Sequence, residues 1–513
     1  MPSALAPARF DWPRFLLSLL ALAAAGWAAA GTPFRGDQAL FVEYAKRLAD
    51  GAVLYRDLWD VANPGVFWFY QLAGTCFGFT EDGVHLFEWL YWVAFVMTLS
   101  VAVRRAHGLP RWPLAPAVFV GGVYYLTSCS DPSHLTKTEG LVAFPLFLAG
   151  WLACRAVGLS RANGWLLLAA GVAGGVAVLF KFAFAPCVVA VWLPPAVVAV
   201  RRKEWLKVVA LPLGLLLMLA VAAGHFVANG ATEPAVRALF VTPRQVLAAA
   251  EPAGFDRLAS SVRWFAEVYS PVLAVALAGT FVALARRGDP FVVSIGLTAV
   301  AAVPVVLVQR WSWWSYHFLL IAVPAAVLAA YTWPALVRAA EGRLSRPFTR
   351  TERWAAGVVG LTLFLPAVGH GTNAHLRLLA HRGGITPEDR AAARAAAGRA
   401  YAEATAETAW LQSPEARPGP IFVAGDPLFH TLSGRPMCTA IHGWSLELLT
   451  PELWDELATQ LKAARPVYIF VAADPHHYDR LTNARGPAVR GWLTAGYLER
   501  RRSPLGVWYE LRE

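Results

Sequence analysis

Charged residues are scarce in this chain. Asp, Glu, Lys and Arg make up 15% of it and hydrophobic residues 57%, with a mean hydropathy of +0.46, whereas a soluble globular domain is about a quarter charged. That balance excludes a water-soluble fold. Cysteine is sparse as well: Cys76, Cys129, Cys154, Cys187 and Cys438 are odd in number and show no C-x-x-C spacing. Neither a disulfide framework nor a zinc site is implied. No G-x-G-x-x-G, Walker A or H-E-x-x-H motif is present, and no internal repeat stands out, which speaks against inverted-repeat transporters.

Long apolar runs fill the space those absences leave. A helix needs about 20 mostly apolar residues to cross a bilayer. Runs of that kind fall near 15–31, 84–103, 112–128, 139–155, 164–181, 183–200, 208–228, 270–285, 290–308, 316–337 and 354–370, so about eleven spans are expected. The pair flanking Lys181 reads as a tight hairpin or one broken helix. Although the first run ends in small residues, a retained helix fits better than a cleaved signal, because the remaining spans then alternate. The formal charge of +11 follows the same topology rather than marking a nucleic-acid partner. With the N-terminus in the cytoplasm, Arg9, Arg14, Arg104, Arg105, Arg111, Arg155, Arg161, Arg201, Arg202, Lys203, Lys207, Arg286, Arg287, Arg338, Arg343, Arg346, Arg350 and Arg353 lie in inner loops. Only Lys137, Lys181 and Arg310 lie in the short outer ones, as the positive-inside rule requires.

The sequence divides at about residue 370. Residues 1–370 read as a transmembrane domain with outer loops 32–83, 129–138 and 229–269, and 371–513 as a soluble external domain. In the first outer loop Leu40, Phe41, Tyr44, Ala45 and Leu48 recur at helical spacing before Gly51, which predicts a helix lying on the membrane surface. The apolar run Val66 to Phe79 after Asn63-Pro64-Gly65 is about 14 residues long, and so interfacial or re-entrant. The 229–269 loop reads as partly helical. Beyond 371, a helical stretch (387–412), a strand at Pro420–Gly425, a helix at Pro451–Ala464, a strand at Val467–Ala472 and a closing hairpin (497–500 with 507–511) predict a small α/β domain.

The first outer loop carries the most informative pattern: Asp37, then Ala45, Leu48 and Gly51, then Tyr55 and Asp57, then Pro64-Gly65. This resembles the GT-C superfamily of membrane glycosyltransferases, in particular the dolichyl-phosphate-mannose protein mannosyltransferases and the aminoarabinose transferases. Gln38 stands where many members carry Glu. The resemblance implies a GT-C-like fold and a carboxylate base, because attack on an oxocarbenium-like centre needs a proton acceptor opposite the leaving phosphate. Asp37 is the candidate base; its alternative role is to N-cap a helix starting at Gln38. Asp57 is a candidate substrate contact, though Asp57 and Asp60 also suit a turn beside Asn63-Pro64.

Other candidates lie at the outer ends of spans. The family places a second acidic residue in the loop after the third span, near donor phosphate or a metal, and Asp131 or Glu139 fits. A divalent metal is thereby left open, with those two as its candidate ligands. Glu139 also suits a helix start, and His134 is a weaker candidate nearby. Lys181 interrupts an apolar stretch, where an ammonium needs a partner or a route to the headgroups. Arg310 and His317 stand among tryptophans, as a donor-phosphate clamp or as part of an interfacial belt. His476 and His477, with Asp474 and Asp479, read as a solvated loop rather than a metal cluster.

Together these features predict a mainly α, polytopic protein of the cytoplasmic membrane. Its expected activity is inverting hexosyl or pentosyl transfer from a polyprenyl-phosphate donor to a saccharide, lipid or protein acceptor at the outer face. The alternatives are a transporter or flippase of lipid-linked saccharide and a non-catalytic envelope scaffold.

Overall fold

The computed structural model describes residues 11–30, 32–126, 134–159, 161–249, 254–310, 312–349, scattered positions from 351 to 362, 399–473 and 486–512. Seven of its helices are long and apolar enough to cross a membrane: Glu81–His107, Thr138–Gly158, Phe182–Arg201, Trp205–Ala228, Phe255–Ala285, Pro290–Val308 and Ser315–Arg343. Shorter apolar helices occupy three more expected spans, namely α1 (Trp12–Ala30), Ala117–Leu126 and Gly164–Phe180. The span expected at 354–370 falls almost wholly outside the described residues. Two compact units emerge from this chain, each drawn from three separate segments.

The first unit comprises Met1–Ala30, His85–Ala220 and Pro252–Leu376 and is helical. Its helices approach closely where small residues face each other, as membrane helices do without a hydrophobic drive between them. A Cβ on Gly171 would lie 2.2 Å from the Leu211 carbonyl, and one on Gly214 2.3 Å from that of Leu168. At Lys181 the backbone is extended (φ −163°, ψ 122°), and the helices on either side pack against one another. The hairpin alternative therefore holds. Ala117–Leu126 is wound as a π-type helix, a form that recurs at functional sites.

The second unit comprises Gly31–Val84, Val221–Glu251 and Arg377–Glu513, so two outer loops cluster with the C-terminal segment. Here α2 (Asp37–Ala49) and α3 (Pro64–Phe77) pack through Phe41 and Phe67, whose ring centroids are 5.1 Å apart. Pro64 opens α3, where its missing N–H costs nothing. The surface-helix expectation for α2 needs correction: every residue from Gln38 to Ala45 is buried, Glu43 included. The reason lies in the C-terminal segment, because Tyr44 donates to the Trp59 and Ala440 carbonyls and Arg47 to that of Thr439. Residues 232–249 form consecutive short helices, and the outer part of 254–269 belongs to the long helix Phe255–Arg287.

In the C-terminal segment β1 (Ile421–Ala424) pairs in parallel with β2 (Tyr468–Ala472), and the crossover helix Pro451–Ala464 joins them. The hairpin of β3 (Tyr497–Ser503) and β4 (Gly506–Leu511) completes a sheet of order β1-β2-β4-β3. Thr450 caps the crossover helix by accepting the Leu453 N–H, and Pro451 follows at its first position. Leu453, Trp454, Leu457 and Leu461 from that helix meet Phe422, Ile469 and Val471 in one core. Trp59 of the first outer loop joins that core, beside its bridge partner Ile441.

Candidate active site

Asp37 is the first residue of α2, and Gly36 is the cap. This corrects the expected cap position by one residue. Gly36 has φ 50°, a conformation that disfavours side chains, and a Cβ there would lie 2.6 Å from the Trp444 ring. Asp37 thus sits in the first turn, where the helix dipole favours an anion. Its Oδ1 accepts the Trp444 indole N–H at 2.8 Å. Gln38 turns back to accept the Arg35 N–H at 3.1 Å, so the residue that departs from the family pattern serves the local cap.

A second carboxylate supports the same turn. Asp426, which follows β1, accepts the Gly36 N–H at 3.2 and 3.3 Å and the Leu428 N–H at 2.9 Å. Burial pushes its carboxyl above the usual range and the charge of Asp37 adds to that, while those two N–H groups and Arg35 work against it. Asp57 is engaged differently: Arg56 grips both its oxygens at 3.0 and 2.8 Å, and Oδ2 also accepts the Val53 N–H. The Arg56 hydrogen bonds hold this carboxyl below its ordinary value. Asp60 accepts the Ala62 N–H at 2.7 Å and faces His442 at 3.4 Å. Both aspartates stiffen the loop that follows α2.

Within the first unit the structure brings Glu139, Lys181 and His317 together. Glu139, with its side chain 1% exposed, accepts from Lys181 Nζ at 2.9 Å and lies 4.0 Å from His317 Nε2. Thr138 donates to its other oxygen at 2.8 Å, and Gln309 Oε1 also accepts from Lys181. The Lys181 side chain is 30% exposed, so this ammonium keeps access to a further anion. Arg310 is exposed, while its neighbour Gln309 is the one bonded to Lys181. His134 pairs with Ser315 at 2.8 Å, and Lys137 lies over the Tyr316 ring. Asp131, Cys129, His476 and His477 lie outside the described residues. Among the described residues no group of three or more His, Cys, Asp or Glu side chains is placed to hold a metal ion.

Sequence reasoning missed two groups. One is Glu88, buried in Glu81–His107, which binds His85 Nδ1 at 3.1 Å, the Tyr124 hydroxyl and the Thr136 N–H. A carboxylate inside an expected span is a costly feature, and that cost was the available signal. The other is the pair Trp444 and Asp426. Asp426 lies just past the C-terminal end of a strand, separated from it by Gly425, which is where α/β sheets place ligand-contacting residues; nothing in the sequence marks Trp444.

A model of the dolichyl-phosphate-mannose-protein mannosyltransferase family matches residues 61–227, a stretch that holds Glu139 and Lys181. Among solved structures, ArnT from Cupriavidus metallidurans bound to undecaprenyl phosphate is similar over 96% of this chain and 97% of its own, with a TM-score of 0.59 at 15% identity. The chain has an ArnT-like fold. The apo form of the same ArnT gives a TM-score of 0.56 at 14% identity, again over 96% of this chain. The archaeal oligosaccharyltransferase AglB from Archaeoglobus fulgidus aligns with 98% of the chain and 75% of its own, with a TM-score of 0.45 at 12% identity. No curated protein gives a match. The structural similarity to ArnT covers 96% of the chain and so extends well beyond the short motif of the first outer loop.

Proposed function

We propose that the chain is a membrane glycosyltransferase that moves one sugar from a polyprenyl-phosphate donor to an acceptor hydroxyl at the outer face of the cytoplasmic membrane. The observation that carries this reading is the end-to-end likeness to ArnT, a protein whose structure holds undecaprenyl phosphate. Asp37 takes the acceptor proton as the acceptor oxygen bonds to the anomeric carbon. The bond from that carbon to the phosphate oxygen breaks on the opposite face, its electron pair leaves with the polyprenyl phosphate, and the configuration inverts. Lys181 is the preferred phosphate partner. Its ammonium is held by Glu139 and Gln309 on a side chain that is partly exposed, and a phosphate there would offset the cost of keeping it beside an apolar stretch.

Asp37→Asn removes the base and keeps the size of the side chain. Because Gly36 rather than Asp37 caps the helix, folding should survive. Turnover should fall by about 10²–10⁴-fold, the usual contribution of a general base. The assay is sugar release from a polyprenyl-phosphate donor pool by membranes with equal amounts of wild type and variant. Undiminished transfer by the variant would remove Asp37 from the mechanism. No transfer by wild type across a broad donor and acceptor panel would favour the transporter or flippase instead.

A further inference from the structure

The C-terminal ends of parallel strands are where α/β sheets ordinarily take a ligand. In this chain that position is filled by the turn that carries Asp37. Asp426, two residues beyond β1, holds the Gly36 N–H. A second arm arrives through Gly443 and Trp444. The Gly443 carbonyl accepts the Gly425 N–H at 3.0 Å, and a Cβ on Gly443 would lie 2.2 Å from the Val423 carbonyl, so this arm is pressed onto β1. The Trp444 N–H donates to His442 Nδ1 at 3.2 Å. That assigns the imidazole proton to Nε2, which faces Asp60 Oδ2 at 3.4 Å. From this braced position the Trp444 indole N–H reaches Asp37 Oδ1.

We propose that Trp444 is a positioning residue for Asp37, and that the C-terminal α/β segment serves catalysis by holding the turn that bears the base. The inference rests on Asp37 being the base. A carboxylate on a single χ1 and χ2 swings between rotamers unless a donor fixes one oxygen, and a displacement of about 1 Å at a reacting group can cost 10²-fold in rate. The indole N–H supplies that fixed donor. Because Trp444 acts through Asp37, its loss should lower kcat and leave the donor KM alone.

The test uses the full chain in the same transfer assay, with Trp444→Phe, Asp37→Asn and the double variant. Trp444→Phe should lower kcat by about 10–100-fold with donor KM within about twofold. In the Asp37→Asn background the same change should alter the residual rate by less than about twofold, because residues acting as a unit are not additive. Should Trp444→Phe fail to accumulate in membranes, site-specific replacement of Trp444 by its benzothiophene analogue removes only the N–H and should reproduce the kcat loss. An unchanged kcat overturns the inference, as does a raised KM with kcat intact. So does an equal loss in both backgrounds, which is what a purely structural role would give. Full activity of Asp37→Asn removes the base and the inference with it; an inactive Asp37→Asn beside a fully active Trp444→Phe sinks the inference alone.

Discussion

The Glu139–Lys181 pair shows most directly what a single residue can dictate in this chain. Breaking a buried ion pair from one side strands the other charge, at a cost of about 3–5 kcal/mol when both partners are buried. Lys181 is only partly buried, so the cost falls at or below the bottom of that range. Lys181→Met should therefore destabilise the protein by about 2–3 kcal/mol. The double change with Glu139→Gln should recover much of that loss, because a neutral amide no longer needs a counter-charge. Thermal unfolding in detergent reads both variants, and equal destabilisation by single and double variants would contradict the pairing. The same cost made these residues legible: a carboxylate and an ammonium at the mouths of apolar runs attract suspicion without any structure. Gln309 escaped notice because a neutral amide beside Arg310 carries no such penalty, and its role depends on which loop it meets. Trp444 escaped for a similar reason, since one tryptophan among 22 is marked only by the carboxylate it touches.

Helices and strands were legible to the extent that one face or one length decides them. Apolar runs gave the spans, turn residues gave the strands of the C-terminal segment, and Gly51 marked the end of α2. Two features were hidden: the burial of α2 from Gln38 to Ala45 and its start at Asp37. Both follow from contacts with residues far along the chain, above all Asp426. That dependence can be tested. Asp426→Ala leaves two N–H groups without their acceptor and should loosen the start of α2, costing about 1–2 kcal/mol. Asp426→Asn keeps an acceptor oxygen and, because burial raises the native carboxyl, removes a charge that the fold disfavours; it should be tolerated. Hydrogen exchange over 36–41 distinguishes the two variants. His430, in the helix Leu428–Ser433, gives the same segment a pH response. Burial, as the largest cause, drives its pKa from 6.5 down to about 4. The unfolded chain then binds the extra proton first, so stability is full above pH 6.5 and declines as pH falls from there towards 4. His430→Gln should flatten that decline in an acid-unfolding titration. An unchanged profile would assign the acid sensitivity elsewhere.

At the scale of the whole molecule, contacts within the first unit sort the loop residues into two groups. Expected inner loops meet one another. The Arg202 guanidinium reaches the Leu159 carbonyl at 3.1 Å and Lys207 that of Ala162 at 2.8 Å, while Arg338 bonds His107 at 2.7 Å and Asp11 accepts the Trp112 N–H at 3.4 Å. Expected outer residues likewise meet one another, as Glu139 with Lys181 and His134 with Ser315 show. None of these pairs joins an expected inner group to an expected outer one, which is the grouping an alternating set of spans produces. Charge then chooses the direction. Lys and Arg crowd the first set of loops and are rare in the second, so we propose that the first set faces the cytoplasm. Reporter fusions after Ala340 and after Glu513 should therefore report opposite sides, with the C-terminal segment external. The second fusion is the sharper test, because the stretch expected to hold the last span, 354–370, lies between the two points. If both reporters face the cytoplasm, that stretch does not cross, and the C-terminal segment cannot supply Trp444 and Asp426 to a base working at the outer face. The glycosyltransferase reading would then have to place its base elsewhere.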